Sequence, residues 1–471
     1  MSKNDYWKLS AFEGAKLIRD GSISAEDLVS SCIERVNQTN NKINAIVDDL
    51  REPALEKAHE LDKLTKKGKF QGPLHGVPIT IKENIDQKGY ATPNGLEALK
   101  DLIAPGNAPV VDNLEKDGAI IIGRTNTPEF SMRGTTDNVI HGRTYNPWND
   151  WASPGGSSGG ASAAVMSGMG SLAHGNDIAG SLRIPSTATG ACTVKPGLGR
   201  IPAYNPSQTQ ERGLVAQLMS VQGIIAREIK DVRLGMQSLI NYDPRDPWMV
   251  EMPFESTTIT SPIKIGYTKE TLGETLHPAV DKALENAIEA LKDAGYILEE
   301  IVLPEFEDAT NFSARTLFGE LKALHEKDYK KLGSKDFNLV ADNYFKIISP
   351  FEGEDLLLGM AKRSYFFREW NLFFRKYPLV LTPFLLYPTY EWNRDTQGLE
   401  GTKEVLAGMF YAHTMNYMGI PAGVVSANYN DGLPVGVQII SSRFREDIIL
   451  QACEEIEKRV GIMAEKLFER G

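Results

Sequence analysis

The chain has 471 residues, 41% hydrophobic and 24% charged, the composition of an ordinary folded protein, which excludes collagen-like, coiled-coil and wholly disordered classes. Lys and Arg total 51 against 62 Asp and Glu, a formal charge of −11, so no global positive field draws a phosphate backbone and nucleic acid is not an expected partner. Three cysteines, Cys32, Cys192 and Cys453, without a C-x-x-C, argue against a disulfide framework or a thiolate metal site and fit a reducing compartment.

The N-terminus shows no basic region followed by an apolar stretch, and the longest membrane-like run, Leu379 to Leu386, is far short of a span, so a cytoplasmic protein without a membrane span is expected. Ser24 opens a helix, with Asp27 three residues on and Leu28, Cys32 and Val36 recurring on one face. A second amphipathic stretch runs from about Pro53 to Lys67. Val77 to Ile81 reads as a short buried strand, and Ala119 to Ile122 as another after a helix over Val110 to Lys116. Residues 145–162 form a Pro, Gly and Ser loop, followed by a small-residue helix over Ala161 to Met169. Lys264 to Tyr267 and Ile297 to Leu303 flank a helix over Ala279 to Ala294, a βαβ unit.

Residues 305–377 carry Tyr365, Phe366, Trp370 and Phe374 at helical spacing, a stripe that packs on a core or walls a substrate entrance. Leu379 to Thr382 and Val435 to Ile440 read as strands, and Glu446 to Lys458 as a closing helix. Alternation of strands and helices predicts an α/β fold. With no repeat or low-complexity linker, residues 1–471 are expected to form a single domain: N-terminal helices over about 5–70, a core over about 72–240 and a helical region over about 305–377.

Several catalytic patterns can be weighed against this layout. Gly156 to Gly160 match G-x-S-x-G with Ser158 at the centre, but the preceding segment is polar and broken by prolines, unlike the strand a nucleophile elbow needs. No H-E-x-x-H or H-x-x-x-H occurs, and the Gly155 to Gly160 loop lacks the lysine of a phosphate loop. One lysine and several serines remain. Lys82 ends an apolar strand, where burial would favour a neutral amine and exposure or a salt bridge would leave an ordinary cation. Ser157 lies in a Gly-Gly-Ser-Ser-Gly-Gly frame, and Ser181 follows Asp177-Ile178-Ala179-Gly180, where small residues leave backbone N–H groups free to converge. Glycine makes up about 9% of the chain against an expected ~7%, and eleven of the 42 fall between Gly155 and Gly199.

The segment GGSSGGASAAVMSGMGSLAHGNDIAGSLRIP, residues 155–185, resembles the amidase signature family. GVPITIKEN around Lys82, TNTPEFSM (125–132), VKPGLGR (194–200), GIPAG (419–423) and DGLPVGVQ (431–438) extend the resemblance over nearly the whole chain. It implies a central mixed β-sheet covered by helices on both faces, and an amide hydrolase in which Ser181 is the nucleophile, Ser157 sits on a cis peptide, and neutral Lys82 receives the proton. It places the oxyanion on the backbone N–H groups of Ile178, Ala179, Gly180 and Ser181, gives Ser158, Asp177 and Arg183 supporting roles, and sets Phe130, Ser131 and Met132 beside the acyl group. For Phe130 and Met132 a core role stands beside that one.

No cofactor or metal is implied, the partner is a small-molecule amide, and homodimers are common among similar enzymes. A related reading is the glutaminase (A-type) subunit of a tRNA-dependent amidotransferase, against which no glutamine-binding arginine is discernible. Two departures stand out: Ala179 replaces a common glycine, a strain cost if that position needs positive φ, and Asn176 replaces a threonine.

Overall fold

The alternating apolar runs and helices resolve into one mixed sheet of eleven strands among the described residues, 2–255 and 262–470, of the computed structural model. The strands are β1 (Ile46–Asp49), β2 (Pro78–Lys82), β3 (Ile120–Thr125), β4 (Leu172–Asp177), β5 (Cys192–Lys195), β6 (Val221–Ala226), β7 (Lys264–Tyr267), β8 (Ile297–Glu300), β9 (Leu379–Pro383), β10 (Ala422–Asn430) and β11 (Leu433–Ser441). Across the sheet they run β1-β3-β2-β4-β6-β5-β10-β11-β9-β7-β8. β2 is parallel to β3 and β4, and β7 to β8 and β9. The centre, from β4 through β11, is antiparallel.

Both faces are covered, and the strands record it residue by residue. Leu379, Leu381, Val425 and Ile439 join a core with helices Pro109–Lys116, Ile229–Leu239, Pro278–Asp293 and Glu446–Val460. Their neighbours Val380, Val424 and Ile440 join another core with Phe306–Leu332, Gly353–Phe374 and Phe410–Met418. Successive side chains of a strand point to opposite faces, so this partition places helices on each side of one sheet. The expected α/β architecture is the one observed.

The N-terminal helices are Ala25–Ile43, on which Ser24 Oγ accepts from Asp27 N–H at 2.9 Å, and Arg51–Thr65. In the 305–377 region three helices form, and Phe366, Trp370 and Phe374 are buried while Tyr365 is half-buried, so the aromatic stripe is mainly core. Several boundaries differ from expectation, three of them for a local reason. The helix expected over Ala161–Met169 spans Gly159–Met166, because Ser158 stands at its N-cap and the chain turns at Gly168 with φ +80°. The strand expected over Ala119–Ile122 continues to Thr125, since it pairs with β2 as far as Lys82. The strand expected over Ile297–Leu303 ends at Glu300, where the chain leaves the sheet edge towards Pro304 and its missing N–H.

Candidate active site

The polar ends of β2 and β4 meet two small-residue loops at one cavity. Parallel pairing of β2 with β4 brings the chain beyond Thr80 alongside the segment that follows Ala173, so Lys82 and Asn176 lie close together. The helix Gly159–Met166 is buried along its whole length, and its first six residues are all Gly, Ala or Ser, small enough for close approach. Gly156 shows the tightness: a Cβ there would lie 2.3 Å from the carbonyl oxygen of Arg133. The peptide between Gly156 and Ser157 is cis.

Lys82 is fully buried, and Nζ lies 2.7 Å from Ser157 Oγ, 3.1 Å from Ser158 Oγ and 2.9 Å from Asn176 Oδ1. Burial brings its pKa down to about 7, against the opposing pull of the Asp177 and Glu83 carboxylates. Lys195 is brought as low, first by burial and then by Arg183, yet its Nζ bonds to the Pro196 carbonyl at 2.9 Å and does not line the cavity. Position, rather than basicity, distinguishes Lys82.

The Asp177 to Ser181 loop is braced from behind. Asp177 accepts from Arg183 Nε at 3.0 Å and Nη2 at 3.2 Å, and Arg183 continues to Gln438 Oε1 at 2.8 Å, the Ala412 carbonyl at 2.9 Å and Asn416 Oδ1 at 2.5 Å. Burial alone would raise the Asp177 carboxyl; Arg183 and backbone donors outweigh it and hold it below its ordinary value.

The same carboxylate corrects one expectation, because the N–H of Gly180 donates to Asp177 Oδ1 at 2.7 Å and is therefore committed. The N–H groups of Ile178, Ala179 and Ser181 have no acceptor among the described residues. Gly180 carries the loop's positive φ, +109°, and Ala179 does not share it, so the replacement at 179 costs no strain. Ser158 N–H donates to the Ser181 carbonyl at 3.2 Å, tying the two serine loops together.

Ser157, Ser181, Asp177 and Ile178 line a cavity of about 640 Å³, as do Phe130, Ser131 and Met132. Phe130 and Ser131 both sit in the left-handed region, φ 53° and 55°, a conformation that costs of order 1–3 kcal/mol per residue. Phe130 also packs at 4.8 Å, ring centroid to ring centroid, against both Tyr329 and Phe337, so cavity wall and core role coincide.

Two residues escape a reading of the sequence alone. Asn176 stands out there only as a departure, yet its Oδ1 faces Lys82 and its Nδ2 donates to Asn84 Oδ1 at 2.9 Å. Asn84 Nδ2 then donates to Ser131 Oγ at 3.0 Å, so one polar chain runs from the lysine to the cavity wall. Asn84 stands two residues past Lys82 in the KEN triplet, and that neighbourhood is the one signal it carries.

No helix of the described residues is long and apolar enough to cross a membrane. Residues 27–450 match the family model described as Amidase. The chain is 43% identical to an indoleacetamide hydrolase of Bradyrhizobium diazoefficiens over 468 residues, 99% of this chain and 89% of the relative. Identity to the A-type subunit of the glutamyl-tRNA(Gln) amidotransferase of Moorella thermoacetica is 28%, over 96% of this chain and 97% of that one, which favours the hydrolase over the amidotransferase reading. The solved structure of a bacterial aryl acylamidase of the amidase signature family superposes with a TM-score of 0.83 at 25% identity, covering 98% of each chain. The sheet, the cavity and these matches agree that the chain belongs to the amidase signature family and is an amide-bond hydrolase.

Proposed function

We propose that the protein hydrolyses a small carboxamide through an acyl-enzyme on Ser181. Ser181 Oγ attacks the carbonyl carbon as its proton passes to Ser157, whose own proton passes to the neutral amine of Lys82. The oxyanion is held by the N–H groups of Ile178, Ala179 and Ser181, each worth about 3 kcal/mol in the transition state. On collapse the proton returns along the same path to the leaving nitrogen, the C–N bond breaks and ammonia or an amine departs. Water repeats the cycle on the ester and releases the carboxylic acid. Ser158, Asp177 and Arg183 hold the two loops in place and do not react.

The observation that carries the reading is the set of partners around Lys82 Nζ. Asn176 Oδ1 can only accept, and Ser158 Oγ lies 3.4 Å from the Asn176 carbonyl, to which it donates. Both therefore take N–H groups from Lys82. A neutral amine has two, and its lone pair is left for the third direction, 2.7 Å from Ser157 Oγ.

The aromatic and apolar wall of Phe130, Met132, Tyr329 and Trp248 suits an aryl acyl group, and the name of the Bradyrhizobium relative makes indoleacetamide the first substrate to try. Three free, buried cysteines support a reducing, cytoplasmic setting, and the net charge of −11 supports the absence of a nucleic-acid partner. A homodimer is our expectation by similarity, to be read by light scattering. Ammonia release from aryl and alkyl carboxamides should fall at least about a thousandfold in Lys82→Ala and in Ser181→Ala. Full activity in either variant would overturn the relay.

A further inference from the structure

Of the charged groups that line the cavity without a part in this chemistry, Glu211, Arg212, Arg245 and Asp246, one arginine stands apart. This residue, Arg212, donates through Nη2 to the Ala216 carbonyl at 3.1 Å and to Ser220 Oγ, both neutral acceptors. Its Nε and Nη1 meet no acceptor among the described residues, and neither is sealed from solvent, on a residue that lines the cavity. The two carboxylates whose field reaches it are engaged elsewhere. Glu320 accepts the N–H groups of Val215 and Ala216 at 2.8 Å each, and Asp246 those of Ala203 and Trp248 at 2.8 Å each. The other cavity arginine, Arg245, is paired with Asp112 and Asp243. Arg212 forms no ion pair among the described residues. It is also near the reacting centre: Ser220, which holds it, precedes Val221, whose Cα pairs with that of Asp177 at the start of the oxyanion loop.

A guanidinium fixed on one side and open on the other presents a fork of N–H donors with the geometry of a carboxylate. We propose that Arg212 recognises a carboxylate carried by the amide substrate away from the scissile bond, so that the substrates include amides that are anions at neutral pH. The proposal deepens the reading of this cavity as an amidase site and rests on it for hydrolysis, though not for binding.

The charge can sit on the acyl part or on the leaving amine, and two substrate series separate these. Monoamides of glutarate, adipate and suberate place it on the acyl side, and N-acetylated β-alanine and its longer homologues place it on the amine. Each is compared with the uncharged amide of equal length. In one series the wild type should favour the anion by about tenfold to a hundredfold in kcat/KM, the worth of a charge-assisted contact. That ratio should fall to about one in Arg212→Met and be kept in part by Arg212→Lys. Because it compares two substrates on one enzyme preparation, it is insensitive to the fraction folded. Where the amides are hydrolysed, no preference in either series, or a preference that survives Arg212→Met, overturns the proposal.

Calorimetry of adipate and suberate with Ser181→Ala, and with Ser181→Ala/Arg212→Met, reads binding without chemistry. Equal affinity for both proteins also overturns the proposal. Arg212-dependent binding beside a wild type that hydrolyses neither series supports it, and the fault then lies with the hydrolytic reading.

Discussion

At the scale of single residues, the proton inventory around Lys82 sets a pH profile. The reacting form is the neutral amine, and its pKa of about 7 makes kcat/KM climb about tenfold per pH unit below 7 and level off above. Asn176 is the positioning residue in this scheme: its oxygen takes a Lys82 N–H at 2.9 Å without adding charge. Asn176→Asp puts an anion at the same distance, favours the ammonium and should move the rising limb up by one or more pH units. Measured at pH 7 the variant loses at least about fivefold, and at pH 9 most of that loss returns. A loss uniform in pH would mean the side chain is only packing. A second test concerns Gly180, whose φ of +109° suits no L side chain and whose added Cβ would lie 2.6 Å from Ile184 Cδ1. Gly180→Ala should lower kcat about a hundredfold or more with little change in KM, because it moves the donors that meet the oxyanion only in the transition state.

At the scale of elements, one wall of the cavity depends on a carboxylate from another helix. The short helix Leu214–Met219 supplies Ala216 and Gln217 to the cavity, and Glu320, from Phe306–Leu332, accepts two of its first N–H groups. Glu320→Ala leaves those donors unpaired in a buried place. Chemical denaturation should register a loss of about 1–3 kcal/mol, and KM should rise more than kcat falls, since the wall binds and does not react. Nothing in Leu214–Met219 announces this cap, because its partner lies about a hundred residues away.

Legibility in the sequence divides along the same line. Local frames of glycines or the end of an apolar strand single out Lys82, Ser157 and Ser181 as candidates, while their roles come only from the resemblance to the family; β2, β3, β9 and β11 are legible because they are apolar runs. β4 escapes. Leu-Ala-His-Gly-Asn-Asp has neither an apolar run nor an alternation, although it is central in the sheet, because Asn176 and Asp177 are spent on the site rather than on a core. The commitment of the Gly180 N–H is equally hidden, being decided by where the Asp177 carboxylate is held by Arg183, which Gln438 and Asn416 anchor from distant parts of the chain.

At the scale of the whole molecule, long-range polar ties close the chain on itself, and one of them carries a cost that pH controls. Asp231 accepts the N–H groups of Ala11 and Phe12 at 2.8 and 2.9 Å, capping the helix Ala11–Arg19, while Glu457 accepts that of Ile229 at 2.9 Å and stands 3.5 Å from Cys192 Sγ. The N-terminal segment and the last long helix thus meet in one buried acidic cluster. Burial, reinforced by the neighbouring Glu228, pushes Glu457 up from 4.5 to about 8. Between those two values the folded protein holds a proton that the unfolded chain has released, so this group subtracts stability progressively as pH rises from about 4.5 to about 8. Glu457→Gln keeps an oxygen for the Ile229 N–H and removes the titration. The variant should match the wild type near pH 5 and exceed it by on the order of 5 kcal/mol at pH 9, read from urea denaturation at the two pH values. A difference that stays constant with pH, or that grows as pH falls, would show that Glu457 is ionised in the fold throughout, its charge held by the Ile229 N–H.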